Sequence, residues 1–173
     1  EIWKHFKLIE IAFSIDDVDE RFEYQRANAI WSEVNTNMDR FEAMRDRNTN
    51  IQLQVCSTVN VFNVMYLEGL ANWIDKRSFD FVYWNMLHEA RYHSVGTLPE
   101  RAKELVSNRL MSANVSDFHM KEFVKIVDFI QAGTSLDGKE LRDNVELVDW
   151  RRKQDLRNHH PELADAIDYE GPQ

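Results

Sequence analysis

Apolar and polar residues alternate over 8–16, with Ile9, Ile11, Phe13 and Ile15 set against Glu10, Ala12, Ser14 and Asp16. A period of two, rich in β-branched residues, predicts a strand over Leu8–Asp16. The same alternation returns in Ile51–Thr58, where Ile51, Leu53 and Val55 face away from Gln52, Gln54 and Cys56. A third strand is predicted over Phe79–Leu87, aromatic and β-branched through Phe79, Phe81, Val82, Tyr83 and Trp84, with Asn85 and His88 at its end. Between the strands the period lengthens. Trp31, Val34, Met38, Phe41 and Met44 recur at three and four residues, as do Val64, Leu67, Leu70, Ala71 and Ile74, the stripe of an amphipathic helix. Strands joined by long helical crossovers pair in parallel with right-handed connections.

After residue 97 the pattern is helical. Thr97-Leu98-Pro99-Glu100 reads as a capping box ahead of a helix over Pro99–Ser112. A second helix is marked by Phe123, Ile126, Val127 and Ile130, with Gly133 expected as its left-handed terminator. A third runs over Gly138–Trp150 with Leu141, Val145 and Val148 on one side. The charged tail, Arg151–Gln173, is expected on the surface. The chain thus divides into strands and helices at 1–96 and a helical extension at 97–173.

The first two strands each carry one apolar face and one polar face, the latter bearing Glu10, Ser14, Asp16, Gln52, Gln54 and Thr58. Parallel strands covered by helices on both sides usually read as continuous apolar runs. A polar face suits a barrel or curved sheet with helices outside and a ligand-holding concavity within. In such barrels the site lies at the C-terminal ends of the strands.

Composition narrows the classes. The chain has 173 residues, 43% hydrophobic and 12% aromatic, which is the profile of a folded domain. Its formal net charge of −9 disfavours nucleic acid, whose backbone calls for clustered Lys and Arg. No apolar run approaches the ~20 residues of a membrane span. The single cysteine and the absence of a signal peptide fit a cytoplasmic protein. Because the first residue is Glu1 and not Met, further residues are expected upstream.

Ser14-Ile15-Asp16-Asp17 at a strand end, followed by Arg26, has the composition of a clamp for an amino-acid head group. Arg pairs bidentately with a carboxylate and Ser adds a hydrogen bond. The same residues also serve as an ordinary turn, a helix cap and a solvated charge. With the helix and second strand that follow, running into Ser57-Thr58-Val59-Asn60 and Asn63, this stretch resembles the second half of a radical S-adenosylmethionine (SAM) enzyme, most closely the SPASM and twitch branch. The resemblance covers roughly Leu8–His88. It implies an α/β fold, the C-terminal half of a partial (β/α)6 TIM-like barrel, whose three strands are the fourth to sixth. It further implies that Ser14 and Arg26 contact the methionyl head of SAM, with Asp16 nearby and Asn63 supporting the loop. The substrate, a peptide or a small molecule, would occupy the lumen.

The resemblance has departures. The family's 4Fe-4S cluster is held by Cys-x3-Cys-x2-Cys, and this chain has only Cys56. Asp17 replaces the usual Gly of the strand-four motif. Truncation accounts for the first departure, with the cluster confined to the full-length protein and this chain inactive alone. One alternative is a non-catalytic α/β binding or scaffold domain. Another is a metal-independent hydrolase or isomerase using Glu10, Asp16 and His88.

Asn85 and His88 are the remaining catalytic candidates. His88 and His93 are five residues apart, about 140° around a helix, so His88-Glu89-Ala90-Arg91-Tyr92-His93 fails as a zinc motif. His93 is expected to be an ordinary loop residue, and His119, His159 and His160 surface residues. Cys56 reads as a buried small residue or a lumen-facing thiol, and Trp84 as core or edge packing.

Overall fold

The computed structural model describes residues 2–172, so the outermost residues of the two segments above, Glu1 and Gln173, lie outside it. Three strands, β1 (Ile9–Ser14), β2 (Ile51–Val59) and β3 (Phe81–Met86), form an open sheet in the order β1-β2-β3 with both pairings parallel. The connection from β1 to β2 contains α1 (Asp19–Gln25) and α2 (Trp31–Arg45). That from β2 to β3 contains α3 (Leu67–Asp75), entered through a 3-10 turn at Val64–Tyr66. The pattern predicts all of these except the short α1.

The register gives the sheet two chemically distinct faces. Ser14 pairs with Cys56 and Cys56 with Tyr83, so Glu10, Ser14, Gln54, Thr58, Tyr83 and Asn85 share one face. On the other face Leu53, Val55 and Val59 are fully buried. Phe13 meets Phe41 of α2 with ring centroids 5.6 Å apart, and Trp84 meets Phe123 at 5.9 Å. Each such buried aliphatic or aromatic side chain contributes roughly 1.5–3 kcal/mol. The opposite face stays open. Gln54 donates to Glu10 across it at 3.0 Å, and the Phe81 and Tyr83 rings stack there, each nearly half exposed.

The C-terminal helices are α4 (Glu100–Met111), α5 (Asp117–Ala132), α6 (Lys139–Arg152), α7 (Leu156–His159) and α8 (Pro161–Ala166). Ala102, Val106 and Leu110 of α4 and Phe123, Ile126 and Ile130 of α5 are buried and join the same core as the strands. No described helix is long and apolar enough to cross a membrane.

Four local expectations are corrected here. Thr97 does not cap α4: its hydroxyl donates to the Arg91 and Ser94 carbonyls, Pro99 takes the N-cap position, and Glu100 pairs with Ser135. Gly133 is extended (φ −76°), not left-handed. It is required by a close approach, because a Cβ there would lie 2.5 Å from Gly96 Cα. Left-handed backbone occurs instead at Gly138 (φ 76°), the residue that starts α6.

The tail also departs from expectation. Leu156, Leu163, Ala164, Ile167 and Tyr169 are buried, and the segment is anchored by Asp149. Asp149 accepts from the Tyr24 hydroxyl at 2.9 Å, the Tyr169 hydroxyl at 3.0 Å and the Leu156 amide at 2.7 Å. Finally, His119 and His160 are buried, not surface residues, and His159 is half-buried against the Tyr24 ring. His119 accepts from Trp84 Nε1 at 3.2 Å through Nδ1, which leaves Nε2 to donate to Asp75 at 3.0 Å. It is a structural, neutral histidine lying four residues before Phe123 on the buried face of α5.

Candidate functional site

β1 ends at Ser14, and the seven-residue α1 turns the chain back so that Arg26 returns to the same strand end. Arg26 Nη2 donates to Ser14 Oγ at 2.9 Å and to Asp16 Oδ2 at 2.7 Å. The other Asp16 oxygen accepts from the Thr58 amide at 2.8 Å, which ties the end of β1 to that of β2. Asn63 is almost fully buried. Its Nδ2 donates to the Asp16 and Thr58 carbonyls at 2.7 and 2.9 Å, while its Oδ1 accepts from the Asn60 amide at 2.9 Å. Ser14, Asp16, Arg26 and Asn63 are therefore brought together.

Their roles divide. Both Asp16 oxygens and the whole Asn63 amide are spent on the protein, so these two residues build the site. Arg26 has capacity to spare: both of its hydrogen bonds use Nη2, Nη1 makes none, and its guanidinium lies over the Phe22 ring at 5.5 Å. A guanidinium with free N–H groups beside a hydroxyl is equipped to take a carboxylate.

Asn85 and His88 stay outside this cluster. Asn85 lies opposite Thr58 on the open face of the sheet and is exposed. His88 is exposed with its ring edge-on to Phe129 at 5.3 Å, because β3 ends two residues earlier. Leu87, held by its amide to the Val59 carbonyl at 3.0 Å, faces the strand ends instead. Glu10 lies four residues before Ser14 on β1, roughly 13 Å along the strand. The acid–base trio of Glu10, Asp16 and His88 does not assemble.

Beside the cluster a cavity of about 340 Å3 opens between the strand ends and α6. Asp16, Gln25, Arg26 and Asn60 form its near wall, and Asn144, Val148 and Arg152 its far wall, with Phe62 and His93 between them. Asn60 Nδ2 donates to Gln25 at 3.2 Å, and Arg152 Nη1 to the Tyr24 carbonyl at 3.1 Å. His93 is thus not an ordinary loop residue. It lines the cavity, its ring packs edge-on to Phe62 at 5.2 Å, its Nε2 has no protein partner, and burial pushes its pKa down. The α6 residues carried no local sequence signal for this role, since only the tertiary fold brings them to the strand ends.

Two buried ionisable groups lie behind the site. Asp17 is 1% exposed; burial raises its pKa to about 7, outweighing the lowering by Arg21, whose Nε is 3.1 Å away. Asp17 also accepts from the Val18 amide at 2.8 Å, so this carboxyl fixes the turn into α1. His160 is enclosed by the Tyr24, Phe62 and Tyr66 rings, with neither ring nitrogen partnered. Burial, reinforced by the Arg21 charge, pushes its pKa down to about 3.

Among the described residues no group of three or more His, Cys, Asp or Glu side chains is placed to hold a metal ion. Cys56, the only cysteine, lies half-buried on the open-face side of β2. The donor set does not fit a 4Fe-4S cluster. A scan against protein-family models gave no match, nor did searches of curated proteins and of solved structures.

Proposed function

We propose that this chain binds SAM at the C-terminal ends of its strands, as the second half of a partial (β/α)6 barrel of the radical SAM kind. The observation that carries the reading is the Ser14–Arg26–Asp16 cluster, stitched to β2 by Asn63. It puts a hydroxyl and a guanidinium with an unbonded Nη1 side by side at the strand ends, where such barrels hold their ligands. The helix-free polar face of the sheet is the counterpart of a barrel lumen. In this reading the lumen takes the substrate, a peptide or a small molecule.

The residues suit the carboxylate of SAM and do not fit the iron-sulfur cluster, so no radical step is assigned to these 173 residues. Their part is to bind and orient; a cluster would have to be held by residues beyond them. The single cysteine also favours a second reading, a binding or scaffold domain without catalysis.

Calorimetric titration with SAM and with its decarboxylated analogue tests the proposal. The expected result is one site for SAM and binding about tenfold weaker or worse once the carboxylate is removed, the loss of a charge-assisted pair. No binding of SAM, or equal binding of both, overturns it and leaves the scaffold reading.

A further inference from the structure

The cavity beside the cluster has its own electrostatics, set by a residue that the SAM reading does not use. Arg26 is ion-paired with Asp16 at 2.7 Å. Arg152, on the opposite wall, donates only to the Tyr24 carbonyl, and no described carboxylate lies within 4.0 Å of it. Burial pushes the His93 pKa down. Arg152 is therefore the wall's cation without an ion-pair partner among the described residues. Between the two arginines the surface is apolar, built from Phe62, Leu87 and Val148. A volume of about 340 Å3 lies within the ~300–1,000 Å3 of small-molecule sites.

We propose that this cavity is a binding site for a small organic monoanion, a carboxylic acid bearing an aromatic or branched apolar body. The carboxylate pairs with Arg152 and the body lies against Phe62, Leu87 and Val148. The His93 ring lines the same cavity. One free guanidinium matches a carboxylate; a phosphate dianion calls for more positive charge than the walls supply. The proposal goes beyond the SAM reading, because it rests on α6 and not on the Ser14 hydroxyl.

The test follows backbone amide resonances of the whole chain during titration with hydrocinnamate, hydrocinnamide and phenylpropylamine. Hydrocinnamate is expected to shift His93, Asn144, Val148 and Arg152, the amide to bind about tenfold more weakly, and the amine to produce no shift. Arg152→Gln is expected to weaken the acid about tenfold. Val148→Trp, which fills the cavity and leaves Arg152 in place, is expected to abolish binding and carries the test if Arg152→Gln does not fold. An absence of shifts with the acid, equal binding of acid and amide, or undiminished binding in a folded variant overturns the proposal. Ser14→Ala separates the two sites: it weakens SAM and leaves hydrocinnamate unchanged, so either reading can fail alone.

Discussion

Asn63 Nδ2 lies 2.7 Å from the Asp16 carbonyl oxygen, a bond between residues 47 positions apart that locks the turn after β1 onto the turn after β2. The same amide also satisfies the Thr58 carbonyl and the Asn60 amide, so one buried side chain closes three backbone groups. An unsatisfied buried polar group costs roughly 1–3 kcal/mol. Asn63→Ala is therefore expected to lose at least ~2 kcal/mol, roughly 4–8 °C in Tm for a chain of this size. Thermal unfolding checks this, and a change within about 1 °C would contradict it.

Stability should depend on pH through two opposing groups. The Asp17 carboxyl titrates near 7 in the folded chain against 3.8 in the unfolded one. Between these values the native state holds a proton that the unfolded state has released, so this group's contribution falls as pH rises from about 4 to 7. His160 is depressed to about 3 from 6.5, so the unfolded chain binds the extra proton and the contribution rises with pH over that window. Urea unfolding at several pH values separates them. Relative to the parent, Asp17→Asn gains stability as pH increases from 4 to 7, and His160→Gln loses it from 3 to 6.5. A difference that stays flat with pH in either variant contradicts the corresponding assignment.

Asp149 is the anchor of the C-terminal segment. Replacing it with Ala leaves two phenols and the Leu156 amide without their acceptor, an expected cost of ~3 kcal/mol or more. Hydrogen exchange locates the effect. Amides of α7 and α8 are expected to speed up about a hundredfold, well beyond those of β2. Uniform acceleration across the chain, or none, contradicts an anchoring role.

The sheet was legible because one face of each strand is apolar, and the period of two survives in the observed burial of β2. The tail was not, because its charged residues hide a sparse apolar set, Leu156, Leu163 and Ile167, that becomes core only when α7 and α8 fold back. His119 and His160 were misplaced for a related reason: residue type suggests exposure, but helix phase buries His119 on α5, and His160, between α7 and α8, is enclosed when they fold back. Thr97 has the composition of a cap, but it closes the second of two 3-10 turns, Arg91–His93 and Val95–Thr97, and its hydroxyl donates back to the Arg91 and Ser94 carbonyls. In the candidate site, Ser14, Asp16 and Arg26 lie within 13 residues and could be grouped by spacing. Arg152 and Asn144 lie more than 100 residues further on, and His93 ends a single 3-10 turn, Arg91–His93, too short to show periodicity. Only tertiary structure brings them together.

The proposed function turns on the Arg26 guanidinium as the receptor for the SAM carboxylate. The most direct measurement is the SAM affinity of Arg26→Ala and Ser14→Ala beside the parent, with folding verified by circular dichroism. The expected result is a loss of about tenfold or more for Arg26→Ala and a smaller loss for Ser14→Ala, since the first removes an ion pair and the second a single hydroxyl hydrogen bond. Unchanged affinity in both folded variants would contradict it.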